Sequence, residues 1–255
     1  MYADTFSSRA GITARNGRLA LKKVVIVGLG GTGSYLLDFL TKTPIEAIHL
    51  YDDDTLKTHN AFRSPGAATL GDLRASKSKV EYYASLFGEM HRGIHPHAVR
   101  VTVFNVAEIA DADFVFLAMD SGPEKMTIME QLIAARVPFI DSGVGVSDDP
   151  NGIAGHVRVT TSTPDRSDHI ARDGLISYFA GEAAEYDTNL QVSELNALAA
   201  VQSVLRFKKI LGFYADAEDE RHSVYVTDSN EIHNRYGENE PAPFGIAEDH
   251  AEDAT

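Results

Sequence analysis

Residues 24–34 read VVIVGLGGTGS and decide the fold, because a continuous apolar run is followed at once by four glycines. The β-branched run at 24–27 is typical of a strand that is buried on both faces of a parallel sheet. Residues 34–42 have helical spacing, so the glycines fall in a turn between a strand and a helix. Glycines there let backbone N–H groups approach a phosphate, and the helix N-terminus adds partial positive charge. The predicted nucleotide-binding glycines are Gly28, Gly30, Gly31 and Gly33.

The alternation of strand and helix continues through the first half of the chain. Further apolar runs predict strands at residues 47–51, 99–104, 114–119 and 138–140. Helical spacing predicts helices at residues 77–87 and 124–135. Alternating elements imply right-handed crossovers. We therefore predict an α/β fold with a Rossmann-like, doubly wound and mostly parallel sheet.

The pattern changes after Gly143. Alternating residues at 155–161 and the run at 223–226 predict antiparallel C-terminal strands. The polar stretch 160–173 is expected to be a long loop, and residues 189–211 carry the longest helical pattern of the chain. We divide the chain into an N-terminal arm at 1–21, one domain at 22–234 and an acidic tail at 235–255, which we expect to be disordered.

The composition argues against several classes of protein. There are 37 acidic residues against 23 basic ones, and the resulting net charge of −14 disfavours nucleic acid or an anionic membrane as the main partner. There are no cysteines, so this chain supplies no disulfide, thiolate zinc ligand or thiol nucleophile. No apolar run approaches the ~20 residues that span a bilayer. Residues 1–8 do not have the pattern of a signal peptide, and we expect a soluble cytoplasmic protein.

The second predicted strand ends in three acids, Asp52, Asp53 and Asp54. They lie close to the ~20-residue offset expected for an acid that binds the ribose of a dinucleotide. Three acids cannot all contact one ribose, and an Asp at the end of a strand is often the N-cap of a helix. Up to this point the sequence fits NAD as well as ATP.

The residues that follow distinguish the two nucleotides. Residues 50–63 read LYDDDTLKTHNAFR, and this segment resembles the DxDxVxxxNxxRQ motif of the ThiF/MoeB and ubiquitin-activating family. The matching positions are Asp52, Asp54, Asn60 and Arg63, with Ser64 where the family usually has Gln.

Two further segments carry the same resemblance, which covers roughly residues 21–158. Residues 75–81 read ASKSKVE and resemble the family's G-K-x-K-hydrophobic-E stretch, with Lys79 at the phosphate-contacting lysine. The predicted strand at 114–119 is followed by Asp120, at the position of the family's magnesium-linked Asp. The resemblance implies that ATP and Mg²⁺ are bound, and that the C-terminal carboxylate of a small ubiquitin-like (β-grasp) protein is adenylated.

The residue types support this chemistry independently of the family resemblance. Adenylation is the attack of a carboxylate on the α-phosphate of ATP, so two anions must be brought together. Arg63 and Lys79 can supply the positive charge as donors to the phosphates. Asp120 can hold Mg²⁺, and Asp52 or Asp54 can bind the ribose hydroxyls. A general base is not required, because a carboxylate is already ionised at neutral pH.

The absence of cysteine departs from many family members, which take the activated protein as a thioester. Three routes after adenylation stay open. The chain hands the acyl-adenylate to a partner such as a conjugating enzyme, or it is one part of a larger activating enzyme, or a serine accepts the acyl group. The candidate serines are Ser162, Ser167 and Ser177, with His169 as a possible base for Ser167.

The resemblance also implies a homodimer or heterodimer, in which an arginine of the N-terminal arm reaches the partner's ATP. The candidates are Arg9 and Arg15, and an unengaged arm is the alternative. Residues 186–200 resemble a helix of bacterial ThiF-type proteins. Two other functions remain open: an NAD(P)-dependent oxidoreductase, and a catalytically silent subunit of a heterodimeric activating enzyme.

Overall fold

The computed structural model describes residues 4–120, 122–172, 191–217 and 219–235. The strands within these ranges are β1 (Lys23–Val27), β2 (Ala47–Tyr51), β3 (Ile94–His97), β4 (Phe114–Leu117), β5 (Phe139–Asp149), β6 (Gly152–Ser162), β7 (His222–Val226) and β8 (Glu231–Arg235). The α-helices are α1 (Phe6–Arg9), α2 (Thr13–Asn16), α3 (Gly31–Leu40), α4 (Thr58–Ala61), α5 (Leu70–Arg74), α6 (Lys79–Phe87), α7 (Pro123–Ala134), α8 (Asp168–Arg172) and α9 (Ser193–Ile210). Short 3₁₀-helices occupy Gly17–Leu19 and Val106–Ile109.

These strands form one sheet in the order β3-β2-β1-β4-β5-β6-β7-β8. The pairs from β3 to β5 are parallel, and the pairs from β5 to β8 are antiparallel. The predicted fold class is therefore confirmed, including the antiparallel C-terminal strands. The chain leaves β1 toward β2 and β3 on one side and returns to β4 and β5 on the other. A reversal of this kind opens a crevice at the carboxyl ends of the strands, here between β1 and β4.

Helices cover both faces of the parallel strands. On one face α3 and α9 pack together, and Leu36 of α3 and Phe207 of α9 are fully buried there. The Phe207 ring lies 4.9 Å from that of Phe114 on β4, which fixes α9 against the centre of the sheet. On the other face Leu132 of α7 packs in a cluster with Val115. The central strands are thus buried on both sides, as their continuous apolar runs predict.

The predicted strand at 99–104 is wrong, because the third strand is Ile94–His97. The alternation of valines misled the prediction: Val101 is buried, but Val99 and Val103 are exposed in a loop. The true strand carries polar residues and Pro96 because β3 is an edge strand. A proline is tolerated at an edge, where its missing N–H need not join a ladder.

The fifth strand is much longer than the predicted 138–140, since β5 runs to Asp149 and pairs along its whole length with β6. Gly143 suggested a break in the pattern. Its missing side chain instead leaves room for Arg158, whose guanidinium would lie 2.8 Å from a Cβ at this position. The polar strand β8 was not predicted, and the expected loop at 160–173 contains the end of β6 and the short helix α8.

The arm residues 4–21 contain α1 and α2 and lead into β1. Arg18 donates a hydrogen bond to the Gly212 carbonyl beyond α9, and Leu19 is fully buried. Arg9 and Arg15 are exposed. Within the described ranges, no helix combines the length and the apolar character that crossing a membrane requires. The proposed tail lies outside the described residues, apart from Arg235.

Stacked aromatic rings line the edge of the sheet. The His49 ring centroid lies 4.7 Å from that of His95 and 5.2 Å from that of His97, and the Tyr51 centroid lies 4.3 Å from that of His97. Burial lowers the pKa of His49 to about 4, and the charges of His95, Lys23 and His97 act in the same direction. The nearby Asp111 opposes this shift and does not cancel it. Burial also lowers the pKa of His97, so the stack favours the neutral forms of His49 and His97.

We expect the stability of the protein to fall on acidification, in part through His49. Its pKa drops from 6.5 in the unfolded chain to about 4 in the fold, so between these values the unfolded chain binds the proton preferentially. The free energy of unfolding must then decrease as the pH falls through this window. His49→Phe keeps a stacked ring without a titrating group and should lose less stability than the wild type. Urea unfolding at pH 7 and pH 5 measures the difference.

The control for this experiment is Tyr51→Phe, which changes the same stack. Burial raises the pKa of Tyr51 above its usual 10.0, so this side chain does not titrate in the acidic window. The control should keep the pH dependence of the wild type. Equal losses of stability in the wild type and His49→Phe would contradict the assignment to His49.

Candidate active site

A cavity of about 290 Å³ opens at the carboxyl ends of β1, β2 and β4, beside the crevice of the sheet. The glycine turn, the three acids after β2 and the residues after β4 form one part of its lining. The beginning of β5, Arg158 of β6 and Asn196 of α9 form another. The cavity therefore joins the parallel and antiparallel parts of the fold.

The predicted glycines have different roles in this turn. Gly28 has a φ of +91°, and a Cβ there would lie 2.5 Å from the Ala118 carbonyl oxygen, so the turn can approach β4 only with glycine. A Cβ on Gly33 would lie 1.8 Å from the Gly28 carbonyl oxygen, and this close approach holds α3 against β1. Gly28, Gly30 and Gly31 line the cavity, whereas Gly33 does not. The structure thus brings three of the four glycines to the cavity.

Asp52 connects the glycine turn to the end of β2. One of its carboxylate oxygens accepts a hydrogen bond from the Leu29 N–H at 2.6 Å, and the other accepts from the Asp54 N–H at 2.9 Å. The Lys79 Nζ lies 2.6 Å from the Asp54 carboxylate and 3.4 Å from that of Asp52. The hydrogen bond from Lys79 holds the pKa of Asp54 below its usual value. Both predicted acids and the predicted lysine therefore meet at the cavity, with Asp53 beside them.

Arg63 also lines the cavity, and its buried Nε has no hydrogen-bond acceptor among the described residues. A guanidinium in this state can donate to an anion that enters the cavity. Asn60 has a different position: it is buried, and its side-chain oxygen accepts from the Lys57 N–H at 2.8 Å. It does not line the cavity and instead fixes the short helix that leads to Arg63.

Asp120 follows β4 on the rim of the cavity, as the sequence predicts. Among the described residues, no group of three or more His, Cys, Asp or Glu side chains could hold a metal ion. Mg²⁺ is commonly held by one or two carboxylates together with the phosphates of a substrate, and Asp120 supplies one such carboxylate. The donor set is thus compatible with a magnesium ion that arrives with ATP.

Sequence reasoning missed a buried charge cluster in the same cavity. Asp141 on β5 is fully buried and forms ion pairs with Lys125 of α7 and, at 2.7 Å, with Arg158 of β6. Burial alone would raise the pKa of Asp141, but the two cations outweigh it and lower the pKa. The sequence did offer one signal for this cluster: Asp141 directly follows the apolar residues of the run PFID, and a buried charge needs partners. The partners could not be identified, since they are far apart in the sequence.

Two more cavity residues were missed. Arg100, in the loop after β3, lies 3.3 Å from a carboxylate oxygen of Glu124 and lines the cavity. Asn196 of α9 lines it too, and its side-chain oxygen accepts from the Thr32 hydroxyl at 3.0 Å. Arg100 belongs to no motif, and Asn196 lies in the segment 186–200, whose resemblance gave no role to single residues.

Neither Ser162 nor Ser167 is among the cavity-lining residues. Ser162 is buried at the end of β6, Ser167 precedes α8, and Ser177 lies outside the described residues. His169 is buried, and its Nε2 donates to the Thr161 carbonyl at 2.9 Å. The structure therefore does not bring His169 to the nucleotide side of the cavity.

Ser142 lines the cavity instead. Its Oγ lies 2.6 Å from that of Ser203, which donates its own hydrogen to the Ala199 carbonyl at 2.7 Å. A hydroxyl has one hydrogen, so Ser142 must be the donor between the two serines. This arrangement supplies no base to Ser142 and leaves it a weak nucleophile.

Two curated relatives resemble this chain. The ubiquitin-like modifier-activating enzyme 5 of Aedes aegypti is 24% identical over 161 residues, which cover 59% of this chain and 40% of the relative. The tRNA threonylcarbamoyladenosine dehydratase of Escherichia coli (strain K12) is 30% identical over 169 residues, 60% of each protein. The chain thus spans between 40% and 60% of the length of these relatives.

The fold is shared with a solved structure, E. coli MccB with ATP. The TM-score is 0.69 at 17% sequence identity, over 92% of this chain and 72% of the MccB chain. At that identity the likeness concerns the fold alone. The family model described as "ThiF family" matches residues 9–235. This chain therefore belongs to the ThiF family.

Proposed function

We propose that this chain uses ATP and Mg²⁺ to adenylate the C-terminal carboxylate of a small ubiquitin-like protein, with release of pyrophosphate. The observation that carries the proposal is the convergence of five features on one cavity at the switch point of the sheet. These are the glycine-lined start of α3, the Asp52/Asp54 pair, Arg63, Lys79 and Asp120. The name of the Aedes aegypti relative supports a ubiquitin-like substrate.

The charges around the cavity suit a reaction between two anions. Asp52 is positioned by Leu29 for the ribose hydroxyls, next to the glycines that face the phosphates. Arg63 has a buried Nε without an acceptor, and Lys79 can exchange its contact with Asp54 for a phosphate oxygen. Mg²⁺ would be held by Asp120 and would supply charge neutralisation at the phosphates. The protein residues then need only bind and orient, because the attacking carboxylate is already ionised.

The alternatives account for less of this geometry. An NAD(P)-dependent oxidoreductase would explain the glycines and Asp52, but it gives no role to Arg63, Lys79 and Asp120 in the same cavity. A catalytically silent subunit would not need these three side chains together. The E. coli relative acts, by its name, on a tRNA. The net charge of −14 argues against a nucleic acid substrate here.

The step after adenylation needs an acceptor for the acyl group. The chain has no cysteine, and Ser142 in the cavity has no base. Transfer of the acyl group to a partner protein, such as a conjugating enzyme, is the route we favour over an oxyester on this chain.

We also propose a dimer, in which Arg9 or Arg15 of one arm reaches the partner's ATP. Both side chains are exposed on α1 and α2, which leaves them available for such a contact.

The first prediction concerns the nucleotide. ATP with Mg²⁺ should raise the melting temperature, since a ligand that binds only the folded state stabilises it by about 2.7 kcal/mol at a hundredfold excess over Kd. NAD should have no effect at the same concentration. A thermal unfolding series with each nucleotide, with and without Mg²⁺, measures this. Stabilisation by NAD and none by ATP would overturn the proposal.

The second prediction concerns catalysis. Asp120→Ala should abolish ATP–pyrophosphate exchange, measured with a panel of small β-grasp proteins, while the protein stays folded. Arg63→Ala and Lys79→Ala should each lower the exchange rate on the order of 10²-fold, because each removes a preorganised donor at a developing charge.

Matched controls for these variants lie outside the cavity. Lys42→Ala removes a lysine that lies just beyond α3 and pairs with Asp38 of that helix, and Arg136→Ala removes an arginine paired with Asp165 on the surface. Asp111→Ala removes an exposed carboxylate. These controls should keep normal exchange. Normal exchange in the three cavity variants as well would mean that the site is misassigned.

The third prediction concerns covalent intermediates. After incubation with ATP, Mg²⁺ and the cognate protein, intact mass should show no adduct on this chain that thiols can release, because the chain has no cysteine. We also expect no ester adduct to accumulate, since Ser142 has no base among its hydrogen-bond partners and Ser162 is buried. A hydroxide-labile adduct mapped to Ser142, Ser162, Ser167 or Ser177 would contradict this and support the oxyester route.

A further inference from the structure

Asn196 carries a buried donor that the fold does not use. Its side chain lies near the start of α9, is 1% exposed and lines the cavity. The Oδ1 atom accepts a hydrogen bond from the Thr32 hydroxyl at 3.0 Å. The Nδ2 atom, which has two hydrogens to donate, has no acceptor among the described residues. Buried polar groups are nearly always paired, so an unpaired amide at a cavity points to a ligand.

The position of Nδ2 identifies the part of the cavity that this ligand would occupy. A Cβ built on Gly31 would lie 2.1 Å from Nδ2, so the amide occupies the space above the first residue of α3. The N-cap residue of this ten-residue helix is Gly30, which has no side chain that could cap the first N–H groups. The first N–H groups of a helix have no acceptor within the helix and carry partial positive charge. The amide of Asn196 thus adds a donor to an anion-binding helix end.

We propose that Asn196 donates a hydrogen bond from Nδ2 to a phosphate oxygen of the bound nucleotide at the N-terminus of α3. The inference rests on the proposed function, because it assumes that the nucleotide occupies this cavity. The ribose acid Asp52 is hydrogen-bonded to the N–H of Leu29, so the phosphates that follow the ribose come next to Gly30 and Gly31. The Nδ2 atom lies above Gly31.

Thr32 has a positioning role in this arrangement. Its hydroxyl donates to Oδ1 of Asn196, and an amide held by its oxygen presents its nitrogen in a fixed direction. The contact joins the first turn of α3 to α9. The C-terminal half of the chain therefore contributes a nucleotide ligand that the motifs between residues 21 and 158 do not include.

The decisive variant is Asn196→Asp, which keeps the shape and the acceptor for Thr32 and replaces the donor by a carboxylate oxygen. Isothermal titration of the full chain with ATP, AMP and adenosine separates the phosphate contact from the rest of the nucleotide. The affinity for ATP and AMP should fall by about tenfold or more, because the variant loses one hydrogen bond to a charged group and places a negative charge beside the phosphate. The affinity for adenosine should stay within about twofold, because adenosine has no phosphate.

Two further variants test whether a change in binding reflects a folding defect. Asn196→Ala removes the donor without adding charge. It should also lower the affinities for ATP and AMP, but to a smaller extent than Asn196→Asp. Gln131→Glu makes the same change of net charge at an exposed position of α7 and should bind all three ligands as the wild type does. Circular dichroism establishes that each variant is folded.

The outcomes are distinct. Equal losses for adenosine and ATP in the Asn196 variants would overturn the inference, because they would indicate damage to the whole site. Unchanged binding of ATP would overturn it too, including the case in which only the KM for the acyl substrate rises, since Asn196 would then contact that substrate. A wild-type chain that binds no nucleotide would instead refute the proposed function, and this inference with it.

Discussion

The contacts of the Asp52 carboxylate hold together the part of the cavity that the glycine turn lines. It accepts hydrogen bonds from Leu29 in the glycine turn and from Asp54, and Lys79 of α6 lies within 3.4 Å. Three separate chain segments are therefore held around one acid. Because charge-assisted hydrogen bonds are stronger than neutral ones, this group can fix the turn between β1 and α3 together with Leu29, whose side chain is buried in the core. The glycines have no side chains to contribute, so the acid and Leu29 shape the turn.

A second buried acid stabilises the opposite wall. Asp141 is enclosed by Lys125 and Arg158, so α7, β5 and β6 meet at one ion cluster where the parallel strands give way to the antiparallel ones. A buried charge is costly unless it is paired, and the two cations offset that cost, as the lowered pKa of Asp141 indicates. The pairing leaves one positive charge in excess beside the cavity. That excess suits a site where the phosphates of ATP and a carboxylate must approach each other.

The sequence was informative wherever function or burial was encoded in neighbouring residues. The run from Val24 to Ser34 predicts β1, the turn and α3, because strand, glycines and helix follow one another without interruption. Edge strands were harder: β3 carries histidines and Pro96, and it has none of the apolar character that the central strands need for burial on both faces. Long-range pairs were beyond reach. Nothing in the spacing of Lys125, Asp141 and Arg158 indicates that they form one cluster.

Asn60 and Asn196 show why a motif is an incomplete guide to a site. Asn60 belongs to the motif, yet its side-chain oxygen caps the turn before Arg63 and does not line the cavity. Asn196 lies in the segment 186–200, whose resemblance gave it no role, yet it lies against Gly31 because α9 packs on α3. Asn60 acts on the site through the backbone that it holds, whereas Asn196 acts through the space that Gly31 leaves open. In the proposed function the same glycine turn serves two purposes: phosphates can approach its backbone, and a side chain of α9 can reach the same place.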